Sequence, residues 1–379
     1  LYIPISTTFG NRKWCEDTWE VGVKSPLYQT LLLKLFYERQ IMKISTTNTK
    51  TDTKCKYSVI LGNLGNTCDR FLSSGYKDTL DKDLMLRQAA SIEGVSGIEL
   101  VGTWDITGKN VSEMNSKLKE VGLCCASIIP DHFAQKRWGR GAFVSADPGI
   151  RREAVSETCV MIDAVRDLGG NLINLWPGQD GYDYPLCTDY LEDRTRLLDT
   201  LGECAAYARQ RNIRLALEFK PKEPRNHSYL ARTADTLLVA NALGDNVGVT
   251  IDTGHAFVAY ENVGESICLL KQFGDKLFHM HFNDNYTHWD DDMIVGSIHL
   301  AEYFEILYWL KKTGYDGWIS MDQYPYREDG YGAIRSSILF LQQLSDILQR
   351  VGIAEVEQLL AQRDPVATST FIRQQLIAH

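Results

Sequence analysis

From Tyr57 onward, short runs of apolar and β-branched residues alternate with longer stretches whose apolar positions recur every three to four residues. The short runs, read as strands, are Tyr57 to Leu61, Gly97 to Val101, Cys124 to Ile129, Asn171 to Trp176, Arg214 to Phe219, Val247 to Ile251, Leu277 to Phe282 and Trp318 to Asp322. Between them, Asp81 to Glu93, Val111 to Val121, Pro148 to Leu168, Leu191 to Arg211, Thr233 to Leu243, Val263 to Phe273 and Leu300 to Lys312 carry helical spacing, and a further helix is expected over Gly332 to Leu348. Gly244, Gly274 and Gly314 follow helical runs, where left-handed caps are expected. Strands that alternate with helices make a parallel sheet, and this number of βα units closes one. The pattern predicts an α/β fold, a (β/α)8 TIM barrel.

The barrel is expected over residues 57–350. Residues 1–56, which end in the polar tract TTNTKTDTKCK, are expected to be an extension outside it, either disordered or an ordered arm. Met42 is a candidate biological start, so residues 1–41 need not be native. Residues 351–379 read as extra helices that pack on the barrel or on a neighbouring subunit. A doubly wound open sheet would usually show a GxGxxG loop after an early strand, and LGNLGNTCDR lacks that spacing.

Composition removes whole classes of function. A formal net charge of −9 argues against a nucleic-acid partner, which requires a basic face. No apolar run approaches the roughly 18 residues needed to span a bilayer, so no membrane partner is expected. The 9 cysteines include no CxxC pair and read as reduced thiols of a cytoplasmic protein.

The informative chemistry lies at the ends of the last four strands. LALEFKP carries Glu218 and Lys220, VTIDTGH carries Asp252 and His255, LFHMHFND carries His281, and WISMDQYP carries Asp322. Adjacent strands of a barrel bring such residues together at the C-terminal rim. Three carboxylates and one imidazole form a hard, oxygen-rich donor set that suits Mn²⁺ first, with Mg²⁺ or Co²⁺ as alternatives. His255, Asp290 and Asp292 could hold a second ion that shares Asp252, with Lys220 neutralising a developing alkoxide. The competing reading of Asp252 and His255 is a helix cap, and that of the Asp290 to Asp292 run is a solvated loop. His279 and His281 are expected to face oppositely, with His281 inward. Asp322 is preferred over Gln323 as the ligand from the last strand. His132 is a candidate proton shuttle or substrate contact, with a surface role as the alternative. Phe133 and Trp138 are candidates for an apolar wall, and Arg327 for a substrate contact.

These motifs carry a resemblance. EFKPKEPR is similar to a stretch of xylose isomerases, and DTGH, LFHMHFND with WDDDM, and MDQYPYRED resemble the next rim motifs of that family in the same order. The spacing of Asp252 to His255 and the histidine at 281 resemble L-rhamnose isomerase and the ketose 3-epimerases of the xylose isomerase-like superfamily. GYDGWISMD resembles the last strand of those epimerases, with Asp322 where many carry a glutamate. The resemblance spans about Tyr57 to Leu348. It implies a first metal shell of Glu218, Asp252, His281 and Asp322 and a second of His255, Asp290 and Asp292. It also implies that Lys220 polarises a substrate oxygen and that Trp176 walls a sugar pocket. The HxxD pair that xylose isomerases use for ring opening is not evident here. The expected activity is that of a metal-dependent sugar isomerase or epimerase on an unphosphorylated monosaccharide, by hydride shift or enediolate proton transfer, in a homo-oligomer. Two alternatives stand beside it. One is a C-glycoside deglycosidase-type lyase, which would use His132 as base and need a different second subunit. The other is a non-catalytic sugar-binding barrel.

Overall fold

The computed structural model describes residues 55–377. The expected extension therefore lies, except for its last two residues, outside the described residues. Strands β1 (Lys56–Ile60), β2 (Val95–Val101), β3 (Cys124–Ile129), β4 (Leu172–Leu175), β5 (Arg214–Glu218), β6 (Val247–Asp252), β7 (Leu277–Phe282) and β8 (Trp318–Met321) pair in sequence order. β8 returns to pair in parallel with β1, which closes the barrel. The expected (β/α)8 TIM barrel is thus the observed fold.

Alternation within each strand separates two environments. Leu215 and Leu217 of β5, Val249 and Ile251 of β6, and Met280 and Phe282 of β7 are fully buried in the apolar layer shared with the surrounding helices. Several intervening positions are polar yet buried: Asn174, Glu218, Thr250, His279, His281 and Ser320. Their contacts cross the lumen. Asn174 of β4 accepts from Thr250 of β6 at 2.6 Å, and Glu99 of β2 meets His279 of β7 at 2.7 Å, although neither pair of strands is adjacent.

The helices begin where short polar side chains can satisfy free backbone amides. Asp81 caps α1 (Lys82–Ser91), Asp147 caps α3 (Pro148–Asp167) with Pro148 in its first turn, and Asp189 caps α4 (Tyr190–Arg209). Helices α2 (Val111–Val121) and α5 (Thr233–Leu243) follow β2 and β5. A short helix not expected from the sequence, α6 (Thr253–Val258), follows β6 directly and precedes α7 (Val263–Gln272). Helix α8 (Leu300–Thr313) ends on Gly314 in the left-handed region, as expected (φ +75°, ψ +33°). Gly244 and Gly274 also have positive φ, but at +120° and +118° they lie beyond that region and are not left-handed caps. Helix α9 (Gly330–Val351) is capped by Asp329 and is longer than the spacing suggested.

The two helices beyond the barrel are α10 (Ile353–Gln362) and α11 (Pro365–Ile377). Phe371 of α11 sits 6.4 Å from Phe304 of α8, so the tail lies against the barrel's helical coat. Among the described residues, no helix is long and apolar enough to cross a membrane.

Strand outer faces carry the packing energy, so truncation there should be costly without touching the lumen. Leu217→Ala is expected to lower unfolding free energy by about 2–5 kcal/mol in chemical denaturation, through lost transfer energy and the cavity left behind.

Candidate metal centre

Each strand from β5 to β8 delivers one polar group at its C-terminal end. Glu218 and Asp252 are the last residues of β5 and β6, His281 is next to last in β7, and Asp322 directly follows β8. Pairing aligns them: Asp252 lies opposite His281, and the Asp322 amide donates to the Phe282 carbonyl at 3.1 Å. Ligand atoms of Glu218, Asp252, His281 and Asp322 all lie within 4.8 Å of one another. Gln323 points away and donates to Ser337, which leaves Asp322 facing the cluster.

The imidazole of His281 decides what this cluster can hold. Its Nδ1 lies 3.1 Å from Asp322, 3.6 Å from Glu218 and 3.9 Å from Asp252, but makes no hydrogen bond of proper geometry. Its Nε2 lies 3.2 Å from Glu99, a carboxylate with no solvent exposure. With Nε2 held by Glu99, Nδ1 is the nitrogen turned among three carboxylates, the arrangement of a metal-ligating histidine held from behind once Nδ1 gives up its proton to a cation. The residues present fit a divalent cation.

Glu99 was not anticipated from the sequence, because a single carboxylate within VSGIELV has no motif around it. It also accepts from Ser127 and meets His279 at 2.7 Å. The expectation that His279 and His281 face oppositely is overturned, since residues two apart on a strand share a face. Both reach Glu99 in the lumen, with ring centroids 5.0 Å apart. Burial alone would raise the Glu99 pKa, but His279 and His281 outweigh it and hold the carboxyl well below its usual range. Conversely, burial would lower His281, and Glu99 and Glu218 hold it well above the ordinary histidine value.

Two amides orient the other members of the cluster. Asn174 donates to Glu218 Oε2 at 2.6 Å, and Asn283 donates to both oxygens of Asp252 at 3.1 and 3.0 Å. The Asn283 amide presses so closely on Gly254 that a Cβ there would lie 2.0 Å from its oxygen, so only glycine fits. Asp252 also caps α6 by accepting from the His255 amide. The cap reading and the cluster reading of Asp252 are therefore both realised in one side chain. Burial, reinforced by Asp290, Asp322 and Glu218 and opposed by His255, pushes Asp252 up to about 7. Crowded buried carboxylates need protons or a cation to balance them.

A second group brings Asp252, His255 and Asp290 together. Here a cation is already supplied by the chain. Lys220 Nζ lies 2.8 Å from Asp290 and 2.9 Å from Glu223, and His255 Nε2 lies 3.0 Å from Asp290 while Nδ1 bonds the Phe219 carbonyl. Burial would lower Lys220, but Asp290 and Glu223 hold it well above its ordinary value. Asp292 stands outside this group of converging ligand atoms, and burial beside Asp290 and Asp322 raises it well above the usual carboxylate range.

The remaining candidates divide between wall and core. The Trp176 ring lies under Lys220, 5.2 Å from Nζ, and against Phe133 at 4.8 Å. Trp138 is buried in the core, so its expected place in a sugar wall is not what the structure shows. Arg327 is exposed and stacks on Tyr76 at 4.2 Å. His132 has no solvent exposure, which rules out a surface role. It packs edge-on to Trp138 and Phe143, and neither ring nitrogen has a partner within hydrogen-bond geometry.

Comparison with known proteins identifies the family and the fold. The model of the family described as xylose isomerase-like TIM barrel matches residues 86–344, and the chain belongs to that family. It is 28% identical over 212 residues to a xylose isomerase of Thermus thermophilus, covering 55% of this chain and 54% of that protein. It is 25% identical over 270 residues to one from Thermus caldophilus, covering 68% and 70% respectively. The chain spans about half the length of most of the curated relatives it matches. Among solved structures, L-ribulose 3-epimerase superposes with a TM-score of 0.62 at 16% identity, covering 82% of this chain and 100% of that one. A D-tagatose 3-epimerase-like protein gives 0.58 at 21%, covering 77% and 98%. At these identities the structural likeness concerns the fold.

Burial pushes His132 down to about 4 from its ordinary 6.5. The unfolded chain therefore binds the extra proton first. The stabilisation is fully present above pH 6.5 and is lost as pH falls towards 4, an effect of about 3 kcal/mol. Urea denaturation across this window should show that slope in wild type and a flatter one in His132→Phe.

Proposed function

We propose that this protein is a sugar isomerase or epimerase that uses one divalent cation, Mn²⁺ foremost, on an unphosphorylated monosaccharide. The observation that carries the reading is the convergence of Glu218, Asp252, Asp322 and the unpartnered Nδ1 of His281 at the barrel mouth. The names of the matched relatives support the same class, being xylose isomerases. When bound, the cation would hold two neighbouring oxygens of the sugar and make the adjacent C–H more acidic.

The chain's own groups supply the rest. Asn174 holds Oε2 of Glu218, so Oε1, the oxygen turned towards His281 Nδ1 at 3.6 Å, is the one that would take a proton from the carbon of an enediolate-forming sugar. Asp322 approaches from the neighbouring side of the cluster and is partly open, so it can exchange a proton with substrate or solvent. Lys220 and His255, both bonded to Asp290, are cationic side chains fixed beside the cluster, where their N–H groups can stabilise a developing alkoxide although the group as a whole is neutralised. The Trp176 ring lies beside them, 5.2 Å from Lys220 Nζ.

One ion is preferred over two because Lys220 already neutralises Asp290, and a second cation there would meet the ammonium at close range. The deglycosidase-type lyase is not favoured, because it assigned the base to His132, which lies among Trp138 and Phe143.

Metal analysis of purified protein should give one ion per chain, and a sugar panel with Mn²⁺ should reveal interconversion that Glu218→Gln lowers by at least about a hundredfold. Full metal content and full turnover in Glu218→Gln would end this reading, and two ions per chain would replace the one-ion version. A second expectation concerns support from behind. Glu99→Gln should weaken Co²⁺ binding by about 10–100-fold, measured by titration of the visible absorption band, because the His281 tautomer is no longer enforced.

A further inference from the structure

The barrel mouth is divided into two chemically different halves. Loops after β5 to β8 carry the carboxylates and the imidazole. At the ends of β1 to β3, Ile60, Val101 and Ile129 form an apolar cluster on which Phe133 packs. From there a run of rings continues along neighbouring loops. His255 lies 6.5 Å from Trp176, Trp176 lies 4.8 Å from Phe133, and Phe133 lies 5.7 Å from Trp104. Trp176, Phe133 and Trp104 follow β4, β3 and β2, so the wall runs away from the cation cluster along the rim.

A single sugar ring stacks on one aromatic ring, so a monosaccharide held by Glu218 and Asp252 can use Trp176 and leaves Trp104 unoccupied. Trp104 is nevertheless built as a platform. It is 40% exposed, yet its indole N–H donates at 3.2 Å to Asp131, a carboxylate only 3% exposed. Asp131 also accepts from Thr103 at 2.8 Å, from the Ala134 amide at 2.9 Å and from Gln135 at 3.1 Å. Four donors thus pin the loops that hold an exposed tryptophan in one orientation. Thr103 itself holds a positive φ of +65°, a conformation a β-branched residue adopts only when its surroundings impose it. A preorganised ring face flanked by a side-chain amide matches the apolar C–H face and rim hydroxyls of a carbohydrate.

We propose that Trp104 and Phe133 form a second subsite that binds the neighbouring sugar unit of a disaccharide-like substrate whose reacting unit lies at the cation cluster. The inference rests on the sugar reading above for the inner unit, but the outer platform has its own readout.

Saturation-transfer NMR and calorimetry would use the full chain with cellobiose, maltose and lactose beside glucose and galactose, which compose them. At least one disaccharide is expected to bind roughly tenfold more tightly than its components, with saturation reaching both of its rings. Trp104→Ala, checked for a native circular dichroism spectrum, should bring that affinity ratio close to one, and Trp104→Phe should restore part of it. The proposal is overturned if no disaccharide outbinds its components, or if the ratio survives in Trp104→Ala. If disaccharides bind as expected but no sugar is converted and no metal is found, the subsite stands and the catalytic reading falls.

Discussion

Glu99 meets His279 and His281 across the lumen, and much of the barrel's interior is arranged around that contact. It joins β2 to β7, strands separated in the sheet by β1 and β8. A buried carboxylate is costly unless it is paired, and here two imidazoles and the Ser127 hydroxyl satisfy it. The same contact determines which nitrogen of His281 faces the mouth. A hydrogen bond deep in the barrel therefore sets the chemistry of a group at its rim.

Around that contact the clustered acids and imidazole form a graded structure. Glu218, Asp252 and His281 are each held from behind by a residue of another element, namely Asn174, Asn283 and Glu99. Such support costs buried polar surface, and the barrel offsets it with the continuous apolar layer between strands and helices. The second group, Asp290 with Lys220 and His255, is neutralised internally and contributes a fixed electrostatic wall. Two acid-rich clusters that look alike in sequence thus have different physical roles, because one contains its own cation.

The division of the mouth into a polar and an apolar half follows from strand order. The chemistry-bearing residues come from the second half of the chain and the apolar cluster with its aromatic rings from the first, so barrel closure sets them face to face. This arrangement is suited to a ligand with hydroxyls on one side and C–H groups on the other.

The sequence by itself determined the number and order of βα units and the residue types at the strand ends. Those features depend on local periodicity and on the short stretch after each strand. The expectation that His279 faces away from His281 failed because strand alternation puts residues two apart on one face. The sequence also left Glu99, Asn174 and Asn283 unnoticed, since an isolated Glu or Asn in an apolar run carries no local signal. Only the tertiary structure decided that these residues stand behind Glu218, Asp252 and His281, that Trp138 belongs to the core while Trp104 and Trp176 lie at the mouth, and that His132 is enclosed. Such assignments depend on contacts between residues up to 182 positions apart, as for Glu99 and His281. Those contacts exist only once β8 has paired with β1 and the lumen is closed.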